Sequence, residues 1–254
     1  MRRVKVTRSS DYNDVRHERS IEMAEEKAKR FIDSSSNVDS GAYSANYGAH
    51  RVGISMQESV DYYSKWAQDG KYEQDLSLER YNGPIIAANY LADHYPDNRS
   101  STKILDVAAG TGYVGEQLHT RGFKSVDALE PASGMLEQAR KKNVYTDLYC
   151  EFLNSKRLPI KDDTYDCCVI SGGMGEGHIP CDGLHELIRI TKPGGLVCIV
   201  MREEYLSYVG EYKDRLEPLM QELEDAGKWE QLSRDVVPKY SFDNNGVVYK
   251  FKIC

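Results

Sequence analysis

The sequence predicts an α/β fold: a doubly wound, mostly parallel sheet of seven strands, with a C-terminal antiparallel hairpin and an N-terminal helical lid. Three observations carry this expectation. Strand-like and helix-like segments alternate between residues 103 and 201 at the spacing of right-handed crossover units. The first strand runs into a turn of small residues and glycines, Ala108-Ala109-Gly110-Thr111-Gly112, that opens a helix. Two β-like runs close the chain, joined around Asp243-Asn244-Asn245-Gly246, a strong hairpin signal.

Taken in order, residues 1–55 are polar and of mixed charge, with a Ser-rich break at Ser34 to Ser36. Glu18 to Ile32 carries a thin helical stripe (Ile21, Ala24, Ala28, Phe31, Ile32). This stretch reads as a mobile or loosely docked arm outside a domain that spans 56–254. Residues 56–95 read as a helical lid segment rich in aromatics, with Tyr62, Tyr63, Trp66, Tyr72, Tyr81 and Tyr90. Gly83-Pro84 can start a helix that buries Ile85, Ile86, Ala88 and Leu91. Strands are expected at 103–107, 125–129, near 147–151, at 165–170 and at 195–201, the last following the turn Lys192-Pro193-Gly194-Gly195. Helices are expected between them at 112–121, 133–142 and 182–190. A further helix at about 209–226 should kink or restart at Pro218, and the hairpin strands should run over 229–237 and 245–253.

Strand, glycine turn, helix, second strand and a terminal acid, Glu130, together describe a pocket for a nucleoside cofactor. Glycines at 110 and 112 allow a sharp bend and close approach to a ligand. The free N–H groups of the following helix face the same ligand. An acid at the tip of the second strand is placed to hold a ribose diol. Gly110, Gly112 and Gly115 also spell the G-x-G-x-x-G of nicotinamide pockets, which alone is a weak signal. Asp106 tips the balance: a carboxylate beside the turn repels a pyrophosphate, whereas the ammonium and sulfonium of S-adenosylmethionine suit it.

The residues resemble the successive motifs of class I S-adenosylmethionine-dependent methyltransferases, in LDVAAGTG (105–112), LEPASGMLEQAR (129–140) and ITKPGGLVCIV (190–200). A closer likeness is to the methyltransferase-like family of the Williams–Beuren syndrome chromosomal region. It rests on YYSKWAQDGKYEQDL (62–76), ERYNGP (79–84), the glycine turn, EGHIPCDGLHELIRITKPGGLVC (176–198) and AGKWE (226–230). It covers about residues 56–254 and implies a Rossmann-like methyltransferase domain. In related families, tyrosines of the Y-x-x-W-A…Y-x-x-D pattern lie near the methionine carboxylate. The resemblance thus carries a cofactor role to Tyr63, Trp66 and Tyr72.

Four rim loops are expected to meet at the cofactor. They bring Asp106, Ala108, Gly110 and Gly112 from the first, and Glu130, Pro131 and Met135 from the second. Phe152 and Leu153 come from the third, with core packing as the competing role, and Ser171 and Gly172 open the glycine-rich SGGMGEG run of the fourth. Methyl transfer is a direct displacement. It needs alignment of nucleophile, carbon and sulfur, a dry site, and a base only where the nucleophile is protonated. No catalytic signature follows the fourth strand; His178 is the one histidine of the rim loops and a weak candidate base.

Composition bounds the remainder. A net charge of −7 over 254 residues argues against a nucleic-acid partner. No apolar run approaches the length needed to span a bilayer, and the first residues lack the apolar core of a secretory signal. Six cysteines without C-x-x-C or Cys/His ligand spacing read as free thiols of a reducing, cytoplasmic setting, with no metal site. The expected activity is methyl transfer to a small molecule or a protein side chain. The alternatives are a non-catalytic cofactor-binding scaffold and, further off, a nicotinamide-dependent oxidoreductase.

Overall fold

In the computed structural model, which describes residues 9–34 and 37–254, seven strands form one sheet in the order β3-β2-β1-β4-β5-β7-β6. The strands are β1 (Lys103–Val107), β2 (Ser125–Leu129), β3 (Leu148–Tyr149), β4 (Tyr165–Ser171), β5 (Thr191–Arg202), β6 (Trp229–Ser241) and β7 (Asn244–Ile253). The first five run parallel; β7 inserts antiparallel between β5 and β6. Period-two alternation sorts the side chains. Leu105 and Val107 face one apolar layer with Cys168, Ile170, Val197 and Ile199. Ile104 faces the other with Val126, Cys167, Val169 and Cys198. Both layers are covered, so the central strands carry apolar residues on both faces.

Helices α5 (Gly83–His94) and α6 (Tyr113–Thr120) cover the second face; α8 (Gly183–Ile190) and α10 (Leu216–Asp225) cover the first. Helix α7 (Ser133–Lys141) follows β2. Pro84 lies in the first turn of α5, where its missing N–H costs nothing. Of the six free cysteines, Cys167, Cys168, Cys181 and Cys198 are buried, whereas Cys150 and Cys254 are exposed.

Several elements differ from the sequence expectation. Strand β3 shrinks to two residues, Leu148 and Tyr149, at the sheet edge beside β2. Strand β5 begins before the turn at 192–195: Tyr165 pairs Thr191 and Cys167 pairs Leu196, so the turn is looped out of the register. The helix expected at 209–226 starts later, as α10 alone, and a separate short α9 (Tyr205–Tyr208) precedes the expected span. Pro218 is the third residue of α10, inside the first turn, and breaks nothing. The terminal hairpin exists, but its tight turn is Phe242-Asp243, since Ser241 pairs Asn244. Phe242 accepts a φ of +50° and packs edge-on against Tyr43 at 5.0 Å. Gly246 lies within β7, where a Cβ would stand 2.8 Å from the Tyr240 side chain.

The polar stretch before residue 55 contributes α1 (Ser9–Ser34) and α2 (Asn37–Gly48); residues 35 and 36 of the expected Ser-rich break lie outside the described residues. Its thin stripe finds partners that local reading does not reveal. Phe31 stacks on Tyr43 at 4.4 Å, and Ile21 and Ala24 pack on the first apolar layer. Ala42, Tyr43 and Ala49 are buried. Helix α3 (Met56–Trp66) then opens on a capping box between Ser55 and Glu58, and α4 (Lys71–Asp75) follows. No helix among the described residues is long and apolar enough to cross a membrane.

Candidate functional site

One cavity lies over the C-terminal ends of β1, β2, β4 and β5, with an empty volume of about 1150 Å³ including its mouth. Strand β1 delivers the glycine turn. Ala108 and Gly110 both adopt left-handed φ, +55° and +57°. A Cβ at Gly110 would meet no protein atom within 4 Å, so a side chain there would project into the cavity. Strand β2 delivers Glu130, 6% exposed. Its Oε2 accepts the Gly110 N–H at 2.9 Å and its Oε1 the Ala132 N–H at 2.8 Å, so one carboxylate ties two rim loops together. Burial raises its pKa to about 7 against these two donors. Pro131, Met135, Phe152 and Leu153 add an apolar wall beside it.

Above the turn stand Tyr63 and Tyr72. Trp66 lies behind them rather than in the wall, stacked on Tyr63 at 5.9 Å and edge-on to Tyr72 at 4.9 Å. Its indole N–H donates to Asp75 at 2.8 Å. The Tyr63 hydroxyl donates to His178 Nε2 at 3.0 Å, while His178 Nδ1–H donates to the Glu176 carbonyl at 2.7 Å. Both ring nitrogens of the rim-loop histidine are therefore engaged. Burial lowers its pKa to about 4.

The expected residues that line the cavity are Tyr63, Tyr72, Ala108, Gly110, Glu130, Pro131, Met135, Phe152, Leu153, Ser171, Gly172 and His178. Trp66, Asp106 and Gly112 do not. Strand alternation turns Asp106 away from the Leu105 layer, and its Oδ2 accepts the Tyr145 hydroxyl at 2.6 Å. Burial raises its pKa to about 7, opposed by that hydrogen bond. Gly112, at φ +94°, faces Tyr145 and helix α7; its missing Cβ serves packing between helices.

A deep end of the cavity went unread in the sequence. Strand β5 ends in Arg202, β6 supplies Tyr240 and Ser241, the segment after β5 supplies Tyr205, and the N-terminal stretch supplies Asn46 and His50. His50 stacks on His178 with ring centres 4.5 Å apart. Its Nδ1–H donates to the Asn46 carbonyl at 2.8 Å, leaving Nε2 as the lone-pair nitrogen. Burial and the neighbouring His178 and Arg202 hold its pKa well below the usual value. Tyr81, before α5, shares a hydrogen bond with Ser171 at 3.2 Å. Tyr212 braces the glycine-rich loop, accepting the Gly175 N–H at 2.9 Å and donating to the Ile179 carbonyl at 2.7 Å. The one sequence signal for this end was a lone arginine closing an otherwise apolar strand.

The residues present fit S-adenosylmethionine. The cradle at Gly110 is open. Glu130 retains lone pairs for a diol, and the Thr111 hydroxyl, in the cavity wall, is buried without a hydrogen-bond partner. The comparisons agree. A methyltransferase-domain family model matches residues 104–195. Methyltransferase-like protein 27 of Homo sapiens is 37% identical over 177 residues, 70% of each chain. Two solved structures share the fold. A SAM-dependent methyltransferase from Leishmania major aligns at TM-score 0.54 and 15% identity, over 78% of this chain and 82% of its own. Another from Aquifex aeolicus aligns at TM-score 0.50 and 19% identity, over 76% and 98%.

Proposed function

Because the chain belongs to the S-adenosylmethionine-dependent methyltransferase family of methyltransferase-like protein 27, we propose that the β1–β2 end of the cavity holds the cofactor and the β4–β5 end a small-molecule acceptor. The supporting observation is the deep end itself. Tyr81, Arg202, Tyr205 and Tyr240 are each less than a tenth exposed and open into the same cavity as Glu130. A buried slot suits a small molecule better than a side chain carried on a folded protein.

In this reading S-adenosylmethionine supplies an electrophilic methyl group on a sulfonium. Glu130 accepts the ribose hydroxyls, and Gly110 and Ala108 let the backbone approach. Pro131, Met135, Phe152 and Leu153 cover the adenine. Tyr63 and Tyr72 form an aromatic wall that keeps the sulfonium dry and offers it cation–π contact. His178 is tied down by Tyr63 and acts in orientation. His50 Nε2 is the nitrogen left to take a proton from the acceptor. We place the protein in the cytoplasm, a setting that its free thiols suit, and read residues 39–55 as part of the catalytic domain.

Calorimetry with S-adenosylmethionine and S-adenosylhomocysteine tests the cofactor half. Wild type should bind both, and Gly110→Val should bind neither while keeping its far-UV circular dichroism, because the valine occupies the cradle and is strained at φ +57°. Retained binding in that variant would place the cofactor elsewhere. Turnover of a labelled methyl donor against a metabolite extract tests the acceptor half.

A further inference from the structure

We infer that the deep end of the cavity is an anion site, and that the methyl acceptor is a small planar molecule bearing a carboxylate held by Arg202. The inference rests on the cofactor occupying the β1–β2 end.

Among the described residues, Arg202 is the one lysine or arginine lining the cavity, and it is 5% exposed. Its Nη2 donates to Asn46 Oδ1 at 2.8 Å and to Ser241 Oγ at 3.0 Å. Its Nη1 donates to Glu204 Oε1 at 3.2 Å. Its Nε–H is buried and has no partner. The hydrogen bonds fix the guanidinium in place without using it up.

The charge balance points the same way. Glu204 is the ion-pair partner of Arg202, but it is also bonded to Lys27 at 2.6 Å. One half-buried carboxylate thus serves two cations. A buried guanidinium with incomplete counter-charge is costly unless a further anion completes it. An acceptor carboxylate would supply that charge, and a planar fork is suited to receive it.

A second unpartnered group converges on the same place. The Tyr205 hydroxyl is buried without a hydrogen-bond partner, and the guanidinium carbon lies 5.2 Å from its ring centre. The surrounding surface is aromatic. His50 lies against the Tyr205 ring at 5.5 Å and an interplanar angle of 26°, and Tyr81 and Tyr240 meet edge-on at 5.5 Å. Flat walls around a fixed cation describe a slot for an aromatic or conjugated acid. Strand β5 lies three strand positions from β2, about 14 Å at the usual spacing, which separates this anion site from Glu130.

The test uses the full-length protein saturated with S-adenosylhomocysteine, and calorimetry with benzoate, phenylacetate and 4-hydroxybenzoate against their neutral amides. Each acid should bind at least about tenfold more tightly than its amide, the scale of a charge-assisted hydrogen bond. That preference should vanish in Arg202→Gln, persist in part in Arg202→Lys and shrink in Tyr205→Phe. S-adenosylhomocysteine affinity should be unchanged in all three. Equal affinity for acid and amide in wild type overturns the proposal. So does a loss of S-adenosylhomocysteine affinity in folded Arg202 variants, which would assign the guanidinium to the cofactor's own carboxylate. If Arg202→Gln does not fold, an undiminished acid preference in Tyr205→Phe overturns it instead. Failure of wild type to bind S-adenosylhomocysteine at all marks the separate failure of the cofactor assignment.

Discussion

Glu130 shows how one residue joins structure to function. Each of its oxygens already accepts a backbone N–H, and a carboxylate offers about four lone-pair positions. Two therefore remain for a ribose diol. Glu130→Ala should weaken S-adenosylhomocysteine binding by about 1.5–3 kcal/mol, the usual scale for hydrogen bonds to a charged group; unchanged affinity in calorimetry would reject the role. The pH dependence has a defined sign. Burial raises the Glu130 pKa to about 7, and diol donors favour the ionised form. Affinity should therefore rise as pH increases through about 7, with protons released on binding, seen as a buffer-dependent heat. Glu130→Gln should remove that dependence. Ala108, Gly110 and Glu130 were legible as cavity-lining residues because they sit within one strand–turn–helix–strand unit. Asp106 was misplaced because the motif names the residue but not which way strand alternation points it.

Among the elements, the N-terminal helices decide which half of the cavity exists. Asn46 and His50 line the deep end, whereas Glu130 is held by Gly110 and Ala132. A chain lacking residues 1–53 should therefore bind S-adenosylhomocysteine but transfer no methyl groups. Full turnover by that truncated chain would remove His50 from the mechanism; lost cofactor binding would make the helices part of the fold's foundation. Strands β1, β2, β4 and β5 were legible from their apolar runs and the turns between them. Helix α2 was not. Its partners, Phe242 and Arg202, lie some 160 to 200 residues along the chain, and local periodicity carries no information about them. The hairpin turn was misplaced for a related reason. Asn245-Gly246 has the better turn chemistry, but the packing of Phe242 on Tyr43 draws the bend three residues earlier.

For the molecule as a whole, buried ionisable groups oppose one another. Asp106 and Glu130 have pKa values raised to about 7, so the folded chain holds protons that the unfolded chain has lost; this stabilisation fades as pH rises from about 4 through 7. His50 and His178 have lowered values, so their contribution grows as pH rises toward 6.5. The thermal midpoint of the ligand-free protein should be nearly level between pH 4.5 and 6.5 and then fall toward 7.5. A midpoint that climbs steadily through neutrality, followed by circular dichroism, would contradict the raised carboxyls. The placement of the thiols has a different consequence. With Cys150 and Cys254 outside and the other four cysteines buried, the chain carries a built-in record of its own opening events. A brief pulse of maleimide should tag two positions on every folded copy and all six on any copy caught open. The mass of each molecule then states which it was, and Cys181, hydrogen-bonded to Glu211 ahead of α8, can be read separately from the sheet thiols Cys167, Cys168 and Cys198.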